Sequence, residues 1–190
     1  MPLRTLEEAL KRKIIFAKPV DSRLTLTEKD ASASLRQFEL TNLPADTLVI
    51  KPDSVHIDAF DGGRYSKRCD YIVFTRLASG AYAFFIELKS SSASGKKYIS
   101  QLNGASCLFD YFDSVLKHFH HGLSLTEYKK RFVFVYKLPL DKEPTNVKKL
   151  PRLLTQPSAP NTLPANACLV KDQLGLPVER LIFGLPPAGA

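Results

Sequence analysis

Gly80–Gly95 reads Gly-Ala-Tyr-Ala-Phe-Phe-Ile-Glu-Leu-Lys-Ser-Ser-Ser-Ala-Ser-Gly, an apolar run that ends in a carboxylate and an amine two residues apart. The run from Ala81 to Ile86 has the composition of a buried strand, so Glu87 and Lys89 arrive at that strand's inner end. Alternation puts Glu87 and Lys89 on one face and Leu88 on the other. Charges are costly to bury unless they are paired, ligated or chemically employed. The plainer alternative is a strand end emerging into water with a simple surface ion pair.

Working outward, Arg68–Thr75 carries Tyr71-Ile72-Val73-Phe74 and reads as the preceding strand, with Leu77–Gly80 as the turn. Thr47–Phe60 alternates through Leu48, Ile50, Val55 and Ile57 around a Pro52-Asp53 turn, which makes a three-stranded antiparallel meander. After the Ser/Gly/Lys stretch 90–97, apolar residues at three- and four-residue steps from Ile99 to Phe119 predict a long helix, closed at His121-Gly122. Lys130–Leu138 is the next strand, and a helix between two strands implies a parallel crossover. Upstream, Arg4–Phe16 reads as an amphipathic helix capped by Thr5 with Glu8. Ala31, Leu35 and Phe38 suggest a second short helix within Thr27–Leu40.

The 190 residues fit a single domain, with a core at about 48–138 and an extension at 139–190 that holds nine of the 13 prolines. Leu150–Leu154 and Val178–Phe183 are the places where that extension can add short elements. No signal-peptide pattern or membrane span is visible, and three scattered cysteines suit a reducing cytoplasm better than a disulfide framework or a zinc site. A net charge of +8 (27 basic against 19 acidic residues) favours a polyanionic partner.

The decisive relation is between Asp70 and the Glu87 strand. If the turn between their strands has an even number of residues, opposed positions sum to an odd number. Asp70 then shares a face with Glu87 and Lys89; an odd turn separates them. Asp70 and Glu87 together suit a hard divalent cation, Mg2+ or Mn2+, with the Leu88 carbonyl as a third protein ligand. Lys89 is placed to position water or to stabilise charge developing on a phosphorus centre.

Asp70, Glu87-Leu88-Lys89, and the helix and strand that follow resemble the PD-(D/E)xK nuclease superfamily over about Leu48–Tyr136. Cys69, rather than proline, precedes the aspartate, and Pro52-Asp53 competes for the first half of the motif. The resemblance implies an α/β, restriction-endonuclease-like αβββαβ core with a mixed central sheet. It also implies Mg-dependent hydrolysis of DNA, or less readily RNA, in the setting of a bacterial or phage-defence effector or a repair enzyme. Gln101 resembles an accessory glutamine of some members, and Glu39 or Glu8 would match an acidic residue that others take from the first helix. Arg64, Lys67 and Arg68, with Lys96 and Lys97, flank the site as candidate phosphate contacts, and Tyr65 and Tyr98 as stacking residues. A protein partner or a homodimer fits the same fold. The competing reading is a non-catalytic, nuclease-like module that assembles with a protein partner. Elsewhere the residues read more plainly: His118, His120 and His121 suit a basic helix end, and Cys69 and Cys107 suit packing.

Overall fold

The apolar runs around Glu87 are continuous, not alternating, because the sheet they form is covered on both faces. The computed structural model describes residues 2–10, 14–28, 37–55, 67–89, 95–136, 166–169 and 176–183. The chain runs through α1 (Pro2–Ala9), β1 (Ile15–Ala17), β2 (Leu24–Thr27), β3 (Gln37–Thr41), β4 (Leu48–Ile50), β5 (Tyr71–Leu77) and β6 (Gly80–Lys89). It continues with α2 (Gly95–Phe119), β7 (Lys129–Tyr136), β8 (Asn166–Leu169), β9 (Leu176–Pro177) and α3 (Arg180–Phe183).

The fold is mixed α/β. Its central sheet has the order β1-β4-β5-β6-β7-β8, antiparallel as far as β6 and parallel from β6 to β8. The β4–β5–β6 meander and the α2 crossover into a parallel β7 are therefore present as expected. Helices α1 and α2 cover one face, where Leu102, Ala105, Phe109 and Phe112 meet Ile72, Phe74, Ala83 and Phe85. On the other face a small sheet, β2-β3-β9, and α3 bury Leu26, Phe38, Leu40 and Ile182 against Val73, Phe84, Leu88 and Val135.

Several boundaries differ from the sequence reading. The first helix stops at Ala9 and starts before Thr5, so Thr5 is no cap, and Ile15–Ala17 is strand β1. The helix expected within Thr27–Leu40 is not formed by its described part. Leu24–Thr27 and Gln37–Thr41 pair as an antiparallel hairpin, with Leu24, Leu26, Phe38 and Leu40 turned inward. Pro52–Ser54 is a single 3-10 turn, and positions 56–66 lie outside the described residues. The long helix closes as expected: His121 and Gly122 are left-handed, with φ of 53° and 75°. The C-terminal extension adds more than a surface wrap: β8 lengthens the sheet, and Val178, Leu181 and Ile182 join the core. Residues 150–154 lie outside the described ones.

Candidate active site at the end of β5 and β6

The turn between β5 and β6 settles the parity question. Leu77 pairs with Gly80 and Tyr71 with Ile86, which leaves a two-residue turn at Ala78-Ser79. One step beyond the ladder, Asp70 falls opposite Glu87. The even turn required for the two acids to meet is the turn the chain makes.

The hydrogen bonds sharpen that register. The Leu88 N–H points toward β5 and donates to Asp70 Oδ2 at 2.7 Å. In an antiparallel ladder this makes Tyr71–Ile86 a bonded pair and Asp70–Glu87 a non-bonded one, the kind in which facing residues approach most closely. Asp70 thus has a structural duty, accepting the N–H that the end of β5 leaves over. The Leu88 carbonyl leaves the strand on the same edge as its N–H, beside Asp70. The Leu88 side chain is fully buried on the other face, as alternation requires.

Glu87 is fully buried. By parity with Ala83 and Phe85 it lies on the α2 face. Cys69, also fully buried, reports on both acids. Its thiol donates to the Tyr71 carbonyl at 3.1 Å. Burial pushes the thiol up, and the negative charges of Glu87 and Asp70 push it further. Two carboxylates therefore stand within electrostatic reach of one sulfur atom. The sequence reading treated Cys69 only as packing; its place next to Asp70 was the available signal for this contact.

Helix α2 holds the segment that leads into Asp70. Gln101 Nε2 donates to the Arg68 carbonyl at 3.4 Å. One turn on, a Cβ on Gly104 would stand 1.9 Å from the Lys67 carbonyl oxygen, so glycine is what allows the two backbones to touch. Gln101 is accordingly half-buried beside the route to Asp70, where the sequence placed it. Lys67 is exposed and Arg68 half-buried on that same segment.

Lys89 ends β6, two residues after Glu87 and opposite Tyr136 of β7. Lys96, Lys97 and Tyr98 occupy the first turn of α2, so helix replaces part of the loop expected there. Arg64 and Tyr65 lie outside the described residues.

Other candidates fall away. Glu39 is on β3 of the second sheet, ion-paired to Arg23 at 3.5 Å, and Glu8 bonds Arg4 at 2.9 Å on the exposed side of α1. Glu39 is thus on a strand rather than a helix, and Glu8 is turned to solvent. Asp53 lies in the exposed 3-10 turn. His118 bonds the Ser114 carbonyl at 2.8 Å, as a helix-end histidine does. Cys107, expected to pack, is exposed.

Among the described residues no group of three or more His, Cys, Asp or Glu side chains is disposed to hold a metal. Asp70, Glu87 and the Leu88 carbonyl would offer an ion two carboxylates and a main-chain oxygen. That set suits magnesium, which commonly takes one or two carboxylates and fills its remaining positions with water and phosphate oxygens. No helix among the described residues is long and apolar enough to cross a membrane. No protein-family model, curated protein or solved structure matches this chain.

Proposed function

We propose that the chain is a metal-dependent nuclease of restriction-endonuclease-like architecture, acting on DNA in preference to RNA. One observation carries the reading: buried Glu87 falls opposite Asp70 at a strand end, and both acids act on the Cys69 thiol. Acidic side chains packed close together at a strand end are a common feature of functional sites, and that is the support this pair lends the reading. The order α1, β4, β5, β6, α2, β7 supports it, with β1–β3 inserted after α1. The net charge of +8 suits a polyanionic substrate.

In this reading Asp70, Glu87 and the Leu88 carbonyl hold Mg2+ or Mn2+. The ion, when bound, polarises the phosphodiester and lowers the pKa of an attacking water. Lys89, two residues after Glu87 at the end of β6, would orient that water or offset charge on the phosphoryl oxygens. Gln101 fixes the Arg68 carbonyl and so steadies the approach to Asp70. The Leu88 N–H keeps Asp70 turned toward the strand end.

The test is cleavage of labelled single- and double-stranded DNA, and of RNA, with Mg2+ or Mn2+, by the native protein, Glu87→Ala and Lys89→Ala. Loss in both variants is expected. Cleavage that survives in both would sink the assignment.

A second reading, a non-catalytic module that assembles with a protein, draws on Tyr111 and Phe119 of α2, which are 54% and 78% exposed. It predicts no metal-dependent cleavage and a complex that survives replacement of Asp70 and Glu87.

A further inference from the structure

Arg4, Lys18, Arg23, Arg76, Lys117 and Lys130 each have a carboxylate partner. Lys51 does not among the described residues, and it stands at the end of the sheet where Asp70 lies. It follows β4, and the Ile50–Ile72 pairing places it opposite Tyr71, the residue after Asp70. Its backbone is pinned by the bond from its N–H to the Ile14 carbonyl at 2.9 Å.

The Lys51 side chain is also held. Its ammonium lies 4.2 Å from the centre of the Phe16 ring and 5.2 Å from that of Tyr71. Tyr71 is itself fixed, since its hydroxyl accepts from the Thr27 N–H at 3.0 Å and donates to the Thr27 carbonyl at 2.7 Å. Ring faces attract a cation but accept none of its three hydrogen bonds in the ordinary sense. The ammonium is therefore pre-positioned on a rigid base and half-buried, with no hydrogen-bond acceptor for it among the described residues.

We infer that Lys51 binds a backbone phosphate of the nucleic acid, flanking the one cleaved. The inference rests on the nuclease reading and adds a substrate contact outside the Asp70–Glu87–Lys89 set. Lys51 faces the side of the sheet opposite Glu87, and β4 lies two strands from β6, about 10 Å across. At that separation it cannot reach the same phosphate as Glu87, but it can hold a neighbour on a strand crossing the sheet end. Exposed Lys67, three residues before Asp70, lies on the α2 side of the same crossing.

The experiment is binding of a fluorescein-labelled 20-mer, single-stranded and duplex, by anisotropy without divalent metal over a range of salt. The variants are Lys51→Gln, Lys51→Met, Lys51→Arg and, as a charge-matched control, Lys129→Gln. Lys129 is exposed at the start of β7, the far end of the sheet, and among the described residues it too lacks a carboxylate partner. Losing one phosphate contact lowers the slope of log K against log salt by about one and costs about eightfold in affinity near 0.1 M salt. That result is expected for Lys51→Gln and Lys51→Met, with near-native binding for Lys51→Arg and Lys129→Gln. Lys51→Met keeps an apolar stem on Phe16, so it separates loss of charge from loss of fold. Native affinity in both uncharged variants, or equal loss in Lys129→Gln, overturns the inference while leaving the nuclease reading intact. A native protein that binds neither oligonucleotide overturns both.

Discussion

Asp113 and the Asp70–Glu87 pair are carboxylates near the two ends of α2, set among different neighbours. Asp113, near the end of α2, collects donors. Leu125 N–H reaches it at 2.6 Å, the Ser124 hydroxyl at 2.8 Å and the Lys117 ammonium at 2.6 Å. Burial pushes its carboxyl up, but the bonds from Lys117, Leu125 and Ser124 together draw it below the ordinary carboxylate value. This acid ties the chain after α2 back to the helix and helps to aim β7. At the other end of the same helix, Asp70 and Glu87 are brought toward each other and toward a thiol that both of them disfavour ionising. One arrangement ties its carboxylate into local bonds; the other sets two carboxylates near one buried thiol.

The contrast is broken most sharply by neutralising one acid from each region. Glu87→Gln should lower metal-dependent cleavage by about a hundredfold or more while leaving thermal stability equal or higher. Asp113→Asn should do the reverse, costing about 2–3 kcal/mol in chemical denaturation while the folded fraction keeps its specific activity. Equal destabilisation by the two changes would erase the distinction.

Acid titration reads the same difference. Because the folded Asp113 is the stronger acid, its contribution is complete above the ordinary carboxylate pKa and is lost as the pH falls through the folded value. Melting temperatures should therefore fall below about pH 4 in the native protein and less steeply in Asp113→Asn.

Gly104→Ala probes the hinge between the regions. The new methyl meets the Lys67 carbonyl, a backbone atom, and should cost about 1–3 kcal/mol while displacing the approach to Asp70. Cleavage should fall by more than the folded fraction does.

The smallest effect concerns the thiols. Exposed Cys107 should react with an alkylating reagent in the native protein. Cys69, buried and held neutral, should be labelled only on unfolding. Mass spectrometry of digested samples separates the two.

The meander, the crossover helix and the pairing of Asp70 with Glu87 were legible because each rested on a long run or a parity rule. Seven residues of β5 and ten of β6 leave little room for a slipped register, and an even turn is a yes-or-no condition. The small sheet was misread for a physical reason. Leu24-Thr-Leu26-Thr and Phe38-Glu-Leu40-Thr each alternate cleanly, but over only two periods, and Ala31, Leu35 and Phe38 offered a competing helical spacing. The C-terminal elements were fainter still. Leu176–Pro177 is two residues long and α3 four, and both are held by the core they join. Cys69 was legible only as a packing residue, and Lys51 not at all, because their importance comes from who faces them across strands. Gly104, by contrast, stands out in the sequence as a glycine inside a helix, where close packing is the usual reason, and the Lys67 carbonyl supplies it.

The central claim is that Asp70 and Glu87 share a divalent cation. Titrating Mn2+ into the native protein, Asp70→Asn and Glu87→Gln by isothermal calorimetry tests it directly. The account predicts saturable binding by the native protein and its loss in both variants, each shown to be folded by circular dichroism. Binding of unchanged affinity in the two variants, or no binding by the native protein, would contradict it.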